Sequence, residues 1–136
     1  MAYVIDPSVA LAWLLPDETN GRADEVRAAV EGGADAWIPV HWWLEIGNRL
    51  LMAERRRRIT PEQVAQALSL VNALAFEEDE ETAEQIAVRT LTLARKHGLT
   101  VYDAAYLELA QRRGAILATF DQQLLKAAAK EKIPTD

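Results

Sequence analysis

The alternation of helix and strand is clearest in residues 98–121, GLTVYDAAYLELAQRRGAILATFD. Thr100 is a typical helix-capping residue and Gly114 a typical helix-ending residue, so the segment between them predicts a helix. The apolar run Ala115–Thr119 then predicts a buried strand, and Asp121 is placed to cap a further helix. A helix that leads directly into a buried strand is typical of an α/β domain with a parallel sheet.

The rest of the chain continues this alternation. Further strands are predicted at Ala2–Asp6 and Ala36–Ile38, with short candidate strands at Ala75–Phe76 and from Ile133. Helices are predicted at Pro7–Leu15, Asn20–Val30, His41–Arg56, Pro61–Leu74, Thr82–His97 and Thr100–Arg113, with a last one after Asp121. We therefore expect one α/β domain over residues 1–136, with a central, mostly parallel sheet flanked by helices on both faces.

Composition and charge limit the possible functions. Half of the 136 residues are hydrophobic, which predicts a packed core, and the lack of cysteine excludes disulfides, zinc–thiolate sites and a cysteine nucleophile. The net charge of -6 argues against a general nucleic-acid coating protein, although it leaves a nuclease open. The N-terminal apolar stretch has no basic region before it and is interrupted by Asp6 and Pro7. We therefore expect neither a signal peptide nor a membrane span, and a cytoplasmic location.

Four acids stand in apolar surroundings. Parallel sheets place their ligands beyond the carboxyl ends of the strands. Asp6 ends the first predicted strand and Asp121 follows the last long one, so both are expected at the same edge of the sheet. Glu45 lies in the helical segment WWLEIGNRLL, and Asp103 lies in TVYDAAYLELA. Because apolar neighbours surround each of them, these acids are expected to point inward and to need partners.

A divalent cation is the partner that the sequence predicts. Two like charges about 4 Å apart repel by about 4 kcal/mol at an effective dielectric constant near 20. Clustered carboxylates must therefore take up protons or bind cations, and no lysine or arginine is built into the two strand ends. Oxygen ligands suit Mg²⁺ or Mn²⁺. Such a site can polarise a phosphodiester and activate water without a covalent protein nucleophile.

Each acid also has a purely structural interpretation. Asp6 and Asp121 could serve as helix N-caps, and Asp103 could complete a capping box with Thr100. Glu45 could pair with Arg49 one turn later.

Polar neighbours could support such a site. Ser8 and Thr119 place hydroxyls close to Asp6 and Asp121, and Asn48 lies one turn after Glu45. First-turn hydrogen bonding and strand propensity are equally good explanations for Ser8 and Thr119.

Four stretches together resemble a known family. They are VIDPSVALAWLL, WWLEIGNRLL, GLTVYDAAYLELA and ILATFDQQLLKAA, which in this order resemble PIN domains, and most of all the VapC-type toxins of toxin–antitoxin pairs. The resemblance runs from Tyr3 to about Ala128. It implies a PIN-like fold, and an endoribonuclease that depends on Mg²⁺ or Mn²⁺. It also implies a homodimer and a cognate antitoxin that occludes the site. The residues that it implies are the acidic quartet Asp6, Glu45, Asp103 and Asp121, with Ser8, Asn48 and Thr119 in support.

Other charged residues are assigned as follows. Arg49, Arg55 and Arg56 are candidates for RNA contact. A solvated helix end is the simpler explanation for the run Arg55–Arg58, and Arg49 could instead pair with Glu45. The acidic run Glu77–Glu81 predicts a solvated loop. Neither histidine shows ligand spacing, so His41 and His97 are expected to be surface or cap residues.

Three alternatives to a toxin remain. A phosphatase with Asp6 as covalent nucleophile usually has an acid two residues later, where this chain has Ser8. A non-catalytic acidic-pocket module resembling a receiver domain would normally include a buried lysine, and no lysine here follows an internal strand. A PIN nuclease that is not a toxin shares every motif above, so it is separated from a toxin by its effect on growth and by a neighbouring antitoxin gene.

Overall fold

The protein is built on a four-stranded parallel sheet. The computed structural model describes residues 1–136 and contains strands β1 (Ala2–Ile5), β2 (Asp35–Ile38), β3 (Glu77–Glu78) and β4 (Ile116–Ala118) in the order β3-β2-β1-β4. All three strand pairs are parallel. Successive residues of a strand face opposite sides of a sheet, and Tyr3, Val4 and Ile5 are all buried. Both faces of the central strand are therefore covered, and the predicted α/β fold with a parallel sheet is confirmed.

The helices begin and end close to the predicted positions. They are α1 (Pro7–Leu14), α2 (Gly21–Glu31), α3 (Trp42–Arg55), α4 (Pro61–Ala73), α5 (Thr82–Gln85), α6 (Leu91–His97), α7 (Val101–Arg113) and α8 (Gln122–Lys130). The local signals act as expected: Thr60 and Gln63 form a full capping box at α4, and Gly114 ends α7 in a left-handed conformation. No helix is both long enough and apolar enough to cross a bilayer.

Three predicted elements differ from the structure. The helix expected over Thr82–His97 is continuous but contains a π-helical turn at Ile86–Thr90, which separates α5 from α6. The short strand expected at Ala75–Phe76 lies two residues later, in β3, since Ala75 adopts a left-handed conformation that ends α4. The candidate strand from Ile133 is reduced to a single bridge between Thr135 and Leu117.

The topology brings the ends of β1 and β4 together. Asp6 donates its backbone N–H to the carbonyl of Ala118 at 3.0 Å, directly after the last paired residues of the two strands. Helix α7 packs against both strands and runs back toward β4, so its first turn lies at the same sheet edge. This edge is therefore where the acids of β1, α7 and the β4–α8 junction can meet.

Candidate active site

Asp6 is held by one of its two carboxylate oxygens. Its Oδ2 atom accepts hydrogen bonds from the hydroxyls of Ser8 and Thr119 at 2.5 and 3.0 Å, and from the backbone N–H of Ser8 at 3.2 Å. No protein group donates to Oδ1. Burial raises the pKa of Asp6 to about 6, although hydrogen bonds from Ser8 and Thr119 act in the opposite direction, and the nearby charge of Glu45 adds to the rise. The N-cap interpretation is correct, and the carboxylate still lacks a cationic partner.

Ser8 and Thr119 join the ends of β1 and β4. The hydroxyl of Thr119 donates to Asp6 and accepts from the backbone N–H of Asp121 at 3.0 Å. The hydroxyl of Ser8 likewise donates to Asp6 and accepts from the N–H of Phe120 at 2.9 Å. Both side chains therefore contact the acids for which they were proposed as supports, and both also satisfy backbone donors of the β4–α8 junction.

Asp121 caps α8 while leaving one oxygen unused. Its Oδ1 atom accepts from the backbone N–H groups of Gln123 and Leu124 at 2.8 and 3.1 Å. The other oxygen, Oδ2, receives no hydrogen bond from the protein. Capping and a role at the sheet edge are thus compatible in this residue, as they are in Asp6.

Glu45 is held by α7 and by the residue that precedes α3. The hydroxyl of Tyr106 donates to Oε1 of Glu45 at 2.7 Å, and Nε2 of His41 lies 3.1 Å from the same oxygen. Burial, followed by the charge of Glu45, raises the pKa of Tyr106, so its hydroxyl remains a donor. Arg49 forms no ion pair with Glu45. Asn48 lines the same cleft but makes no hydrogen bond to Glu45, so the structure does not give it the supporting contact proposed from the sequence.

The carboxylate of Asp103 is close enough to Glu45 and Asp121 for their charges to raise its pKa. Asp103 lies in the first turn of α7, where its N–H donates to the Thr100 hydroxyl at 3.1 Å. Burial raises the pKa of Asp103, and the charges of Asp121 and Glu45 raise it further, whereas Arg49 lowers it. Asp6 interacts with Glu45 in the same way. The four acids thus form a continuous electrostatic series, Asp6–Glu45–Asp103–Asp121, which we call the acidic cleft.

The donor set of the acidic cleft suits a hard cation, but the four carboxylates do not converge on one point. Each carboxylate keeps at least one oxygen free of protein donors, and oxygen-only ligands are those that Mg²⁺ and Mn²⁺ prefer. In this conformation, however, no three histidine, aspartate or glutamate side chains are close enough together to hold one metal ion. The four acids therefore interact through their charges at one edge of the sheet without forming a ready-made set of metal ligands.

The arginines differ in their distance from the acidic cleft. Arg49 is exposed and lines a groove with Ser8 and Phe120, and its charge acts on Asp103. Arg55 and Arg56 are exposed at the end of α3 and form no ion pair. Arg58, from the same run, is held by Asp17 and Glu18 at 2.8 and 3.2 Å, so it is engaged within the protein.

Two predictions about charged side chains away from the acidic cleft are wrong. The run Glu77–Glu81 is not fully solvated, because Asp79 is completely buried and contacts both Arg112 and Arg113 of α7 at 2.7 and 3.3 Å. His97 is not a surface residue either; its buried ring lies 2.7 Å from Glu131. In both cases the partner comes from a distant part of the chain, which a local pattern cannot indicate.

Tyr106 and His41 are the site residues that sequence reasoning missed. Tyr106 stands in an apolar helical segment and is indistinguishable from a core aromatic residue by pattern alone. His41 precedes Glu45 by four residues, a spacing that brings side chains together on a helix, and this spacing was the available signal.

The protein is an α/β domain that carries acidic side chains at the carboxyl edge of a parallel sheet. Comparison with known proteins shows which family of such domains it belongs to. Residues 3–130 match the PIN domain family, so the chain belongs to that family. It is 29% identical over 124 residues to Ribonuclease VapC3 of Pyrobaculum aerophilum, a match that covers 91% of this chain and 92% of that protein.

Solved structures agree with this assignment. The crystal structure of PAE2754 from Pyrobaculum aerophilum superposes with a TM-score of 0.70 at 27% identity, covering 100% of this chain and 83% of that one. FitAcB from Neisseria gonorrhoeae shares the fold at a TM-score of 0.64 and 16% identity, covering 98% of this chain and 95% of that one. The resemblance to VapC-like PIN proteins that the motifs indicate is therefore confirmed.

Proposed function

We propose that this protein is an endoribonuclease that depends on Mg²⁺ or Mn²⁺ and acts as the toxin of a type II toxin–antitoxin pair. The observation that carries the proposal is the acidic cleft, in which four carboxylates from different parts of the chain each keep an oxygen free of protein donors. The similarity to Ribonuclease VapC3 supports RNA as the substrate.

Asp6, Glu45, Asp103 and Asp121 are the residues that would hold the metal. A bound divalent ion supplies Lewis-acid polarisation of the phosphodiester and makes water a stronger nucleophile at neutral pH. The protein's own part is orientation. Ser8 and Thr119 hold Oδ2 of Asp6 by hydrogen bonds, which leaves Oδ1 available.

Arginine side chains would position the RNA. Arg49 is close enough to influence Asp103 and lines the groove beside Ser8, so it is suited to a phosphate near the scissile bond. Arg55 and Arg56 lie at the far end of α3, about 15 Å along the helix axis from Glu45. They suit phosphates that flank the bond rather than the bond itself.

The resemblance to VapC-type toxins also leads us to propose a homodimer, a cognate antitoxin and a cytoplasmic location. Exposed apolar side chains beside Glu45 and Asp103, namely Leu44 and Tyr102, give such partners apolar surface to cover. Light scattering of the purified protein tests the dimer. A short neighbouring reading frame whose product restores growth and inhibits the purified enzyme would identify the antitoxin.

The test of the activity is cleavage of labelled RNA by the purified protein with Mg²⁺, with Mn²⁺ and with a chelator. Asp6→Asn keeps the shape of the side chain and its capping ability but removes its charge. Asp24→Asn is the matched control, because Asp24 is an exposed first-turn acid of α2 far from the acidic cleft.

The expected result is cleavage by wild type and Asp24→Asn with either metal, and none with the chelator or with Asp6→Asn. Cleavage that survives both the chelator and Asp6→Asn would exclude the metal mechanism. Efficient cleavage without growth arrest on expression would instead indicate a nuclease that is not a toxin.

A further inference from the structure

Two hydrogen bonds cross between α3 and α7, the helices that carry Glu45 and Asp103. From α7, the hydroxyl of Tyr106 donates to Oε1 of Glu45 at 2.7 Å. From the start of α3, Nε2 of His41 bonds to the backbone carbonyl of Tyr102, the residue before Asp103, at 3.1 Å. Direct backbone contact between the two helices is otherwise slight, and these side chains provide polar connections across this side of the acidic cleft.

The chemistry of the partners determines the direction of both bonds. A backbone carbonyl can only accept, so Nε2 of His41 must carry the hydrogen, and the same N–H lies 3.1 Å from Oε1 of Glu45. Tyr106 is fully buried, and the carboxylate of Glu45 is the one hydrogen-bond partner of its hydroxyl. The His41 ring is also held edge-on by the rings of Tyr106 and Tyr102, with centroids 5.4 and 5.7 Å away.

We infer that His41 and Tyr106 are positioning residues for the proposed reaction. Tyr106 binds Oε1 of Glu45 and His41 lies beside that oxygen, which leaves Oε2 free for a cation. Through the Tyr102 carbonyl, His41 also fixes the distance between the start of α3 and the first turn of α7, and hence between Glu45 and Asp103. The inference rests on the proposed function, because it concerns how the acids of the same site are arranged.

This arrangement matters because the acids repel one another. A glutamate side chain has three rotatable bonds, and the charges of Asp6 and Asp103 favour conformations in which Glu45 turns away from the cleft. The hydrogen bond from Tyr106 to Oε1, together with Nε2 of His41 at 3.1 Å from the same oxygen, opposes that rotation. Partners that orient a ligand in this way typically affect metal affinity or activity by about 10–100-fold when they are removed.

Three variants separate the two positioning contacts from packing. Tyr106→Phe keeps the ring and removes the hydroxyl. His41→Leu has similar bulk and no donor, whereas His41→Gln keeps an N–H group at the end of the side chain. Tyr3→Phe is the matched control, because Tyr3 is another buried tyrosine whose hydroxyl contacts Met1 Sδ, away from the acidic cleft.

Three quantities are measured for each purified variant: the Mn²⁺ concentration that gives half of the maximal thermal stabilisation, and kcat and KM for cleavage of one RNA. We expect Tyr106→Phe and His41→Leu to need about 10–100-fold more Mn²⁺ or to lose as much in kcat, with KM for RNA unchanged. His41→Gln should recover most of the loss, and Tyr3→Phe should behave as wild type. A purely structural role would lower the melting temperature without moving the Mn²⁺ midpoint.

Wild-type Mn²⁺ midpoints and kcat in both Tyr106→Phe and His41→Leu would overturn the inference while leaving the proposed function intact. If wild-type protein is stabilised by Mn²⁺ but cuts no RNA, the proposed function fails and the Mn²⁺ midpoints alone decide whether Glu45 is positioned as described. If Mn²⁺ does not stabilise the wild type at all, both the proposed function and the inference are wrong.

Discussion

Thr119 donates a hydrogen bond to Asp6 at 3.0 Å, although the two residues are 113 positions apart in the chain. The same hydroxyl accepts from the N–H of Asp121 at 3.0 Å, so one buried oxygen atom connects two of the four acids. The contact depends on β1 and β4 being parallel neighbours, since this pairing brings their carboxyl ends side by side.

Replacing this hydroxyl should cost stability. Thr119→Val keeps the shape of the side chain but leaves the Asp121 N–H and one lone pair of Asp6 without their partner, which we expect to lower the free energy of unfolding by about 1–3 kcal/mol. Urea unfolding without metal measures the change. Thr119→Ser is the control, because it retains the hydroxyl. Equal stability of the valine and serine variants would contradict the prediction.

Asp103→Asn should change stability in opposite senses with and without metal. The pKa of Asp103 is raised by burial and by the charges of Asp121 and Glu45, so its ionised form is unfavourable in the metal-free protein. The amide should therefore raise the metal-free melting temperature or leave it unchanged, and should abolish most of the stabilisation by Mn²⁺.

The size of the stabilisation by Mn²⁺ follows from its concentration. For wild type, the free energy of unfolding should rise by about 2.7 kcal/mol when the Mn²⁺ concentration is a hundredfold above Kd. Thermal melts over a Mn²⁺ series measure both effects, with Asp24→Asn as the control that keeps the wild-type response. A full Mn²⁺ shift in Asp103→Asn would show that this carboxylate is not a ligand.

Glu131 should make the protein acid-sensitive within a defined range. Hydrogen bonds from Lys96 and His97 lower the pKa of Glu131 from 4.5 to about 2, against the opposing effect of burial. The unfolded chain therefore takes up this proton at higher pH than the folded protein does. The stabilisation is complete above about pH 4.5 and is lost as the pH falls toward 2.

Glu131→Gln should flatten the dependence of stability on pH between these limits. Urea unfolding at a series of pH values tests this, and Glu80→Gln is the control because Glu80 is exposed and unpaired. A pH profile of Glu131→Gln that parallels that of wild type would exclude the coupling.

Arg112 should be far more important for stability than an exposed arginine at the same helical spacing. Arg112 pairs with Glu108 one turn earlier at 2.6 Å and with the fully buried Asp79 at 2.7 Å. Its removal in Arg112→Met leaves the buried carboxylate of Glu108 without its cation and leaves Asp79 with only the longer contact to Arg113, a loss of about 3–5 kcal/mol. Arg27→Met breaks a pair of equal spacing with Glu31, where both partners are partly exposed, and should cost about 0–1 kcal/mol. Similar midpoints of urea unfolding for the two variants would refute this difference.

Local rules predicted most of the fold and the position of the acids. Proline and capping residues marked the starts of α1, α4 and α7, and the rule for parallel sheets placed Asp6 and Asp121 at one edge. These predictions succeeded because they depend on residues adjacent in the chain or on the general geometry of one sheet. The metal predicted for this edge, and the catalytic roles of the four acids, remain predictions.

Long-range contacts explain what the sequence did not reveal. Tyr106 contacts Glu45 across 61 residues, and Asp79 meets Arg112 across 33. Neither pair has a fixed spacing that a pattern could detect. Asn48 shows the opposite error: it has the right helical spacing from Glu45, yet Tyr106 and His41 make the contacts that were expected of it. Spacing along one helix indicates which side chains can meet, while neighbouring helices decide which of them do.

Helix α7 carries Asp103 in its first turn and Arg112 in its last, about 14 Å apart along the axis. One end belongs to the acidic cleft, and the other forms an ion pair with the fully buried Asp79. Helix α7 is buried between these two ends, from Ala104 to Ala110, so a change in its packing at Arg112 is expected to displace the carboxylate of Asp103. Substitutions near Arg112 are thus expected to affect both folding stability and catalytic activity. Natural variation there should be constrained by both, and compensating substitutions should arise along α7.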